Sequence, residues 1–73
     1  MKNTTKVLEV ARKKLHFNAY LNELCAALTP AEIHALIDAG YKPMPGSRIP
    51  DRHDPASSPT WFYFQPVRGE FYQ

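Results

Sequence analysis

The spacing of apolar residues changes along the chain, and that change divides it. From Thr5 onward it is helical: Leu8, Ala11 and Leu15 fall on one face at three- to four-residue intervals. Thr4 or Thr5 can accept a backbone N–H and cap the start, and residues 1–4 are expected to fray. A second helix is predicted over Ala19–Leu28, capped by Asn18, with Leu21, Leu24, Cys25 and Leu28 inward. One long helix bent at His16–Asn18 is the alternative. The third helix has the clearest signal. Thr29 is the N-cap, Pro30 occupies N1 and Glu32 at N3 completes a capping box. This helix runs to Ala39, with Gly40 as a left-handed C′ residue and Tyr41 packing back on Leu36. Ile33, Leu36 and Ile37 face inward; Glu32, His34 and Asp38 form the outer face.

Residues 42–60 hold five prolines, Gly46 and three serines, which no helix survives. Ser47-Arg48-Ile49 is a candidate edge strand within this loop. The period then becomes two. Thr60–Gln65 is rich in strand-favouring aromatics and closes at Pro66, and Val67–Gln73 turns at Gly69. The fold predicted is mainly α with a small β element: three short helices followed by a short two-stranded β element. That order is winged-helix-like, with a proline-rich loop.

The length of 73 residues fits one domain, residues 1–73, and excludes a TIM barrel or a full Rossmann fold. Residues 1–4, 51–59 and 68–73 are expected to be flexible. Cys25 is the only cysteine, so no internal disulfide staples the core. Its setting reads as a small buried hydrophobe rather than a reactive thiol. No leader and no apolar run near the ~20 residues of a membrane span is present, which predicts a soluble cytoplasmic protein. The net charge of +2 is unevenly placed: residues 1–29 carry five bases against two acids, and residues 30–73 four against five. The amino-terminal half is therefore the half suited to an acidic partner.

Candidate chemistry is sparse. His16, His34 and His53 lack zinc spacing, and Asp51-Arg52-His53-Asp54 reads as a turn, so no metal and no cofactor is expected. No nucleophile elbow or phosphate-binding glycine loop occurs, which argues against an enzyme. The basic run Arg12-Lys13-Lys14, with Lys6, reads either as a solvated helix face or as a contact for an acidic surface. Against DNA reading stands the third helix, whose outer Glu32 and Asp38 would meet phosphates. Six of the nine aromatics lie in the last 13 residues. If Phe62 and Phe64 pack inward, Trp61 and Tyr63 face outward, or the reverse. The outward pair, with Arg68, Phe71 and Tyr72, reads as a protein-binding patch. The partner-binding set is thus Lys6, Arg12, Lys13, Lys14, Trp61, Tyr63, Arg68, Phe71 and Tyr72.

The basic helix Lys6–Lys14, the capped helix Thr29–Gly40, the proline-rich loop and the aromatic tail ending at Gln73 stand in one order. With that layout the chain resembles phage-encoded regulators of host transcription that bind bacterial RNA polymerase. The likeness is one of size, charge layout and sequence character over the full length, without a diagnostic motif. It implies binding near the amino terminus of the β′ subunit and at the β flap, and inhibition of initiation through loss of the σ factor. It also implies antitermination through a narrowed RNA exit channel, helped by NusA, in the host bacterial cytoplasm. Two other readings compete with it: a small winged-helix-like DNA-binding regulator, and an inhibitor of another host enzyme.

Overall fold

The computed structural model describes residues 2–53 and 58–66. The elements run α1 (Lys2–Lys14), β1 (His16–Asn18), β2 (Glu23–Leu28), α2 (Pro30–Asp38) and β3 (Thr60–Phe64). The strands form one antiparallel sheet in the order β1-β2-β3. The described residues form a small α+β fold with two helices and three strands, which overturns the predicted three helices and two-stranded element.

The difference lies between Asn18 and Leu28. Asn18 was expected to cap a helix. Its Oδ1 does accept the backbone N–H of Leu21 at 3.1 Å, three residues on, as an N-cap would. The same local bond also closes a turn. Asn22 then enters the left-handed region at φ 57°, where a helix cannot continue. The chain reverses, and β2 pairs with β1 as Cys25 opposite His16, Leu24 opposite Phe17 and Glu23 opposite Asn18. Leu24, Cys25, Ala26 and Leu28 are all buried, whereas Leu21, assigned to the inner helix face, is 50% exposed. Alanine and leucine favour helix, but pairing on both edges outweighs a propensity worth only tenths of a kcal/mol per residue, about 0.7 at most for ordinary residues.

The other local signals are realised more closely. Thr29 Oγ1 accepts from Glu32 N–H at 3.2 Å, and Glu32 Oε1 accepts from Thr29 N–H at 2.9 Å, so the capping box is complete. At the far end Gly40, at φ 109°, leads into a Schellman closure. There Tyr41 N–H donates to Leu36 O and Gly40 N–H to Ile37 O, both at 3.0 Å. Helix α1 starts at Lys2, upstream of the threonines expected to cap it.

Ser47–Ile49 forms no strand. The loop instead touches β3 earlier, through Gln65 N–H to Lys42 O at 2.8 Å and Met44 N–H to Tyr63 O at 3.1 Å. Of the segments expected to be flexible, 2–4 lie within α1, and Arg52 in 51–53 is pinned to Asp38. The expectations for residues 1, 54–57 and 68–73 fall outside the described residues.

Both helices lie on one side of the sheet. Ala11 and Leu15 from the α1 segment, Ile33 and Leu36 from α2, and Tyr41 meet Leu24, Ala26, Leu28, Phe62 and Phe64 in one core. Phe64 is fully buried, with Phe62 at 5.2 Å and Tyr41 edge-on at 6.2 Å between ring centroids.

The hairpin makes Asn22 diagnostic. Asn22→Gly should cost less than Asn22→Val, because glycine adopts positive φ freely. Asn22→Val should cost about 1–2 kcal/mol for the left-handed backbone. Urea unfolding of the two variants measures both.

Candidate protein-interaction site

Among the described residues, strand alternation leaves the second face of the sheet without a helix. Leu24, Ala26 and Leu28 of β2 and Phe62 and Phe64 of β3 point to the core, so Cys25, Ala27, Trp61 and Tyr63 point away. His16, Cys25 and Tyr63 form one row across the three strands, and Ala27 lies opposite Trp61. Trp61 is 58% exposed and Tyr63 39%. The outward orientation of this pair was one of the two alternatives left open by the alternating pattern.

The hairpin turn adds exposed Tyr20 and Leu21. His16, Asn18, Leu21, Cys25, Trp61 and Tyr63 line a shallow pocket of about 250 Å³. The His16 ring stands edge-on to Trp61, with centroids 5.9 Å apart. Sequence reasoning missed His16, Asn18, Tyr20, Leu21 and Cys25 as members of this face. The signal was present but masked: once 23–28 is a strand, period two places Cys25 beside Tyr63.

Cys25 Sγ lies 3.0 Å from His16 Nε2. Burial, and secondarily the negative charge of Glu23, push the Cys25 thiol above its ordinary value. At neutral pH it is therefore a protonated thiol in hydrogen-bond contact with the His16 ring. A raised thiol pKa is the opposite of what a nucleophile needs. The contact sets the thiol against the His16 ring on the sheet's second face.

The predicted basic residues do not join this face. They belong to α1, on the helix side of the sheet. Arg12, Lys13 and Lys14 occupy the last turn, where positive charge complements the helix dipole. Lys14 is committed internally: its Nζ reaches both Glu32 carboxylate oxygens at 3.0 Å. Glu32 was expected on an outer, DNA-facing surface. It is instead buried at 8% exposure and ties α1 to the start of α2. The outer face of α2 is strapped too. His34 Nε2–H donates to Pro50 O, and Arg52 pairs with both Asp38 oxygens at 3.1 and 3.2 Å. Asp51 Oδ1 accepts from His53 N–H at 3.0 Å, the local turn expected there. Arg68, Phe71 and Tyr72 lie outside the described residues.

Among the described residues no group of three or more His, Cys, Asp or Glu side chains is placed to hold a metal. No helix among them is long and apolar enough to cross a membrane.

Two measurements probe these interactions. Iodoacetamide should label Cys25 in the native chain at least about tenfold more slowly at neutral pH than in the urea-unfolded chain. The Asp38 carboxyl is held below its ordinary 3.8, chiefly by the hydrogen bond from Arg52. Its contribution to stability is present above the unfolded value and is lost as pH falls through the lowered folded one. Arg52→Ala should move the Asp38 titration midpoint, followed by carboxyl-carbon NMR, upward toward 3.8.

Compared with known proteins, the chain matches no protein-family model, no curated protein and no solved structure.

Proposed function

We propose that this chain is a non-enzymatic protein-binding module that regulates transcription by docking on bacterial RNA polymerase through the open face of its sheet. The observation that carries the binding role is the exposure of Trp61 and Tyr63 side by side on that face, beside His16 and Leu21. Tryptophan and tyrosine dominate interface hot spots because each buries much area at little cost in rotamer entropy. The protonated Cys25 thiol beneath them favours contact over covalent chemistry. The polymerase as partner, and with it inhibition of initiation through σ loss and antitermination, is supported by the resemblance to phage transcription regulators. The winged-helix DNA-binding alternative lost its scaffold with the second helix. Of the bases assigned to the contact, Lys14 is exposed but paired with Glu32, while Lys6, Arg12 and Lys13 lie elsewhere on the surface of α1.

A tagged chain incubated with bacterial lysate should retain the β and β′ subunits, and the Trp61→Ala/Tyr63→Ala variant should lose at least about tenfold of that retention. Both side chains are exposed, so the variant should keep the wild-type circular dichroism spectrum. Retention of a different enzyme, lost in the same variant, would move the reading to an inhibitor of that enzyme. Retention untouched by the substitutions would remove the sheet face from the contact.

A further inference from the structure

A second surface lies on the other side of the molecule, and its chemistry differs from that of the sheet. Helix α1 and the first turn of α2 enclose a groove of about 370 Å³ lined by Lys6, Val7, Val10, Thr29, Ala31 and Glu32. Its walls are largely aliphatic. Val10 is 43% exposed, although Leu8 and Ala11 of the same helix pack against or within the core. An amphipathic helix whose apolar stripe runs past the core edge in this way has apolar surface left for another molecule.

The charge around the groove is one-sided. At about 100° per residue along a helix, Val10 falls ~40° from Lys6 toward the groove, whereas Lys13 falls ~20° from Lys6 on the opposite side. Glu9 falls ~60° from Lys6 on that same opposite side, farther from the groove than either lysine. The acid within the groove, Glu32, is already satisfied. Its Oε1 accepts from Thr29 N–H at 2.9 Å, and both oxygens accept from Lys14 Nζ at 3.0 Å. The groove therefore presents a largely aliphatic floor with Lys6 in its lining, and Lys13 stands farther round α1 as the nearest further base on that helix surface.

We propose that this groove is a docking site for an acidic amphipathic helix of a partner protein, independent of the sheet face. Aliphatic side chains of that helix insert between Val7, Val10 and Ala31, and its Asp or Glu side chains meet Lys6 and Lys13. This is the helix-in-groove mode of recognition, read by apolar anchors at i, i+3, i+4 and i+7. A nucleic-acid backbone answers the charge but leaves the valine floor unfilled.

The probe is a fluorescein-labelled synthetic peptide with Leu at those anchor positions and Asp or Glu elsewhere, titrated with the full chain at low salt and followed by anisotropy. Saturable binding is expected, weakened at least about tenfold by Val10→Asp and likewise by Lys6→Glu with Lys13→Glu. Trp61→Ala should leave it unchanged, which separates this site from the sheet face. Should Val10→Asp fail to fold, the lysine pair carries the test, because both side chains are exposed on α1. The idea is overturned by absence of saturable binding, or by equal binding of a peptide with Lys in place of its acids. Displacement of the peptide by duplex DNA at equal concentration would overturn it as well, as would loss of binding in Trp61→Ala alone.

Discussion

Leu24, Ala26 and Leu28 project from one side of β2 into the helices, while the strand's backbone is paired along both edges by β1 and β3. A central strand held in this way is the constraint from which the remaining geometry follows. It places the helices on one side, because only that side carries the large buried side chains. It also fixes the register of β3, so that Phe62 and Phe64 must enter the core and Trp61 and Tyr63 must leave it. A one-residue slip would reverse both pairs, turning Phe62 and Phe64 to solvent and forcing the differently shaped Trp61 and Tyr63 into the core. With 73 residues and a single cysteine, the chain has little with which to build further layers, and the described residues form one hydrophobic core with both helices on one face.

Glu32 performs the corresponding task for the helices. It caps α2 from within and receives Lys14 from the last turn of α1. Removing one partner of such a bridge leaves the other with a charge to solvate, and Glu32 is the more deeply placed of the two. The strap across the outer side of α2 is of another kind. The Arg52–Asp38 pair is half-exposed on both sides, so it orients the proline-rich loop more than it stabilises the fold. One apparent charge cluster in the sequence therefore resolves into an internal tie, a loop anchor and a remaining basic surface.

The two surfaces left by this arrangement suit different contacts. The sheet face is aromatic, with few charges and a histidine ring beside a thiol. The groove beside α1 is aliphatic with a basic rim. A small protein with both can engage two elements of a large assembly at once, which raises avidity beyond either contact alone when the geometry permits both. The opposed positions of the faces, on the two sides of the sheet, mean that one flat partner surface cannot cover both.

Signals carried by a few neighbouring residues were legible in the chain. Thr29-Pro30-Ala31-Glu32 and Gly40-Tyr41 determined where α2 starts and stops, because each cap is a bond between residues at most five apart in sequence. The strand at Thr60–Phe64, the inward face of α1 and the choice between two orientations for Trp61 were likewise readable from period alone. The segment from Asn18 to Leu28 was not. Its side chains satisfy a helical and a two-residue period together, and Asn18 makes the same local hydrogen bond in a cap and in a turn. Only the tertiary pairing of β2 with β1 and β3 decides between them. The partner strand β3 lies far along the chain, as Leu24 opposite Phe64 illustrates with a separation of 40 residues, and no local pattern records their attraction. The same pairing assembled the open face from three strands, and the packing of α1 on α2 drew Glu32 out of the surface, where its residue type alone had placed it.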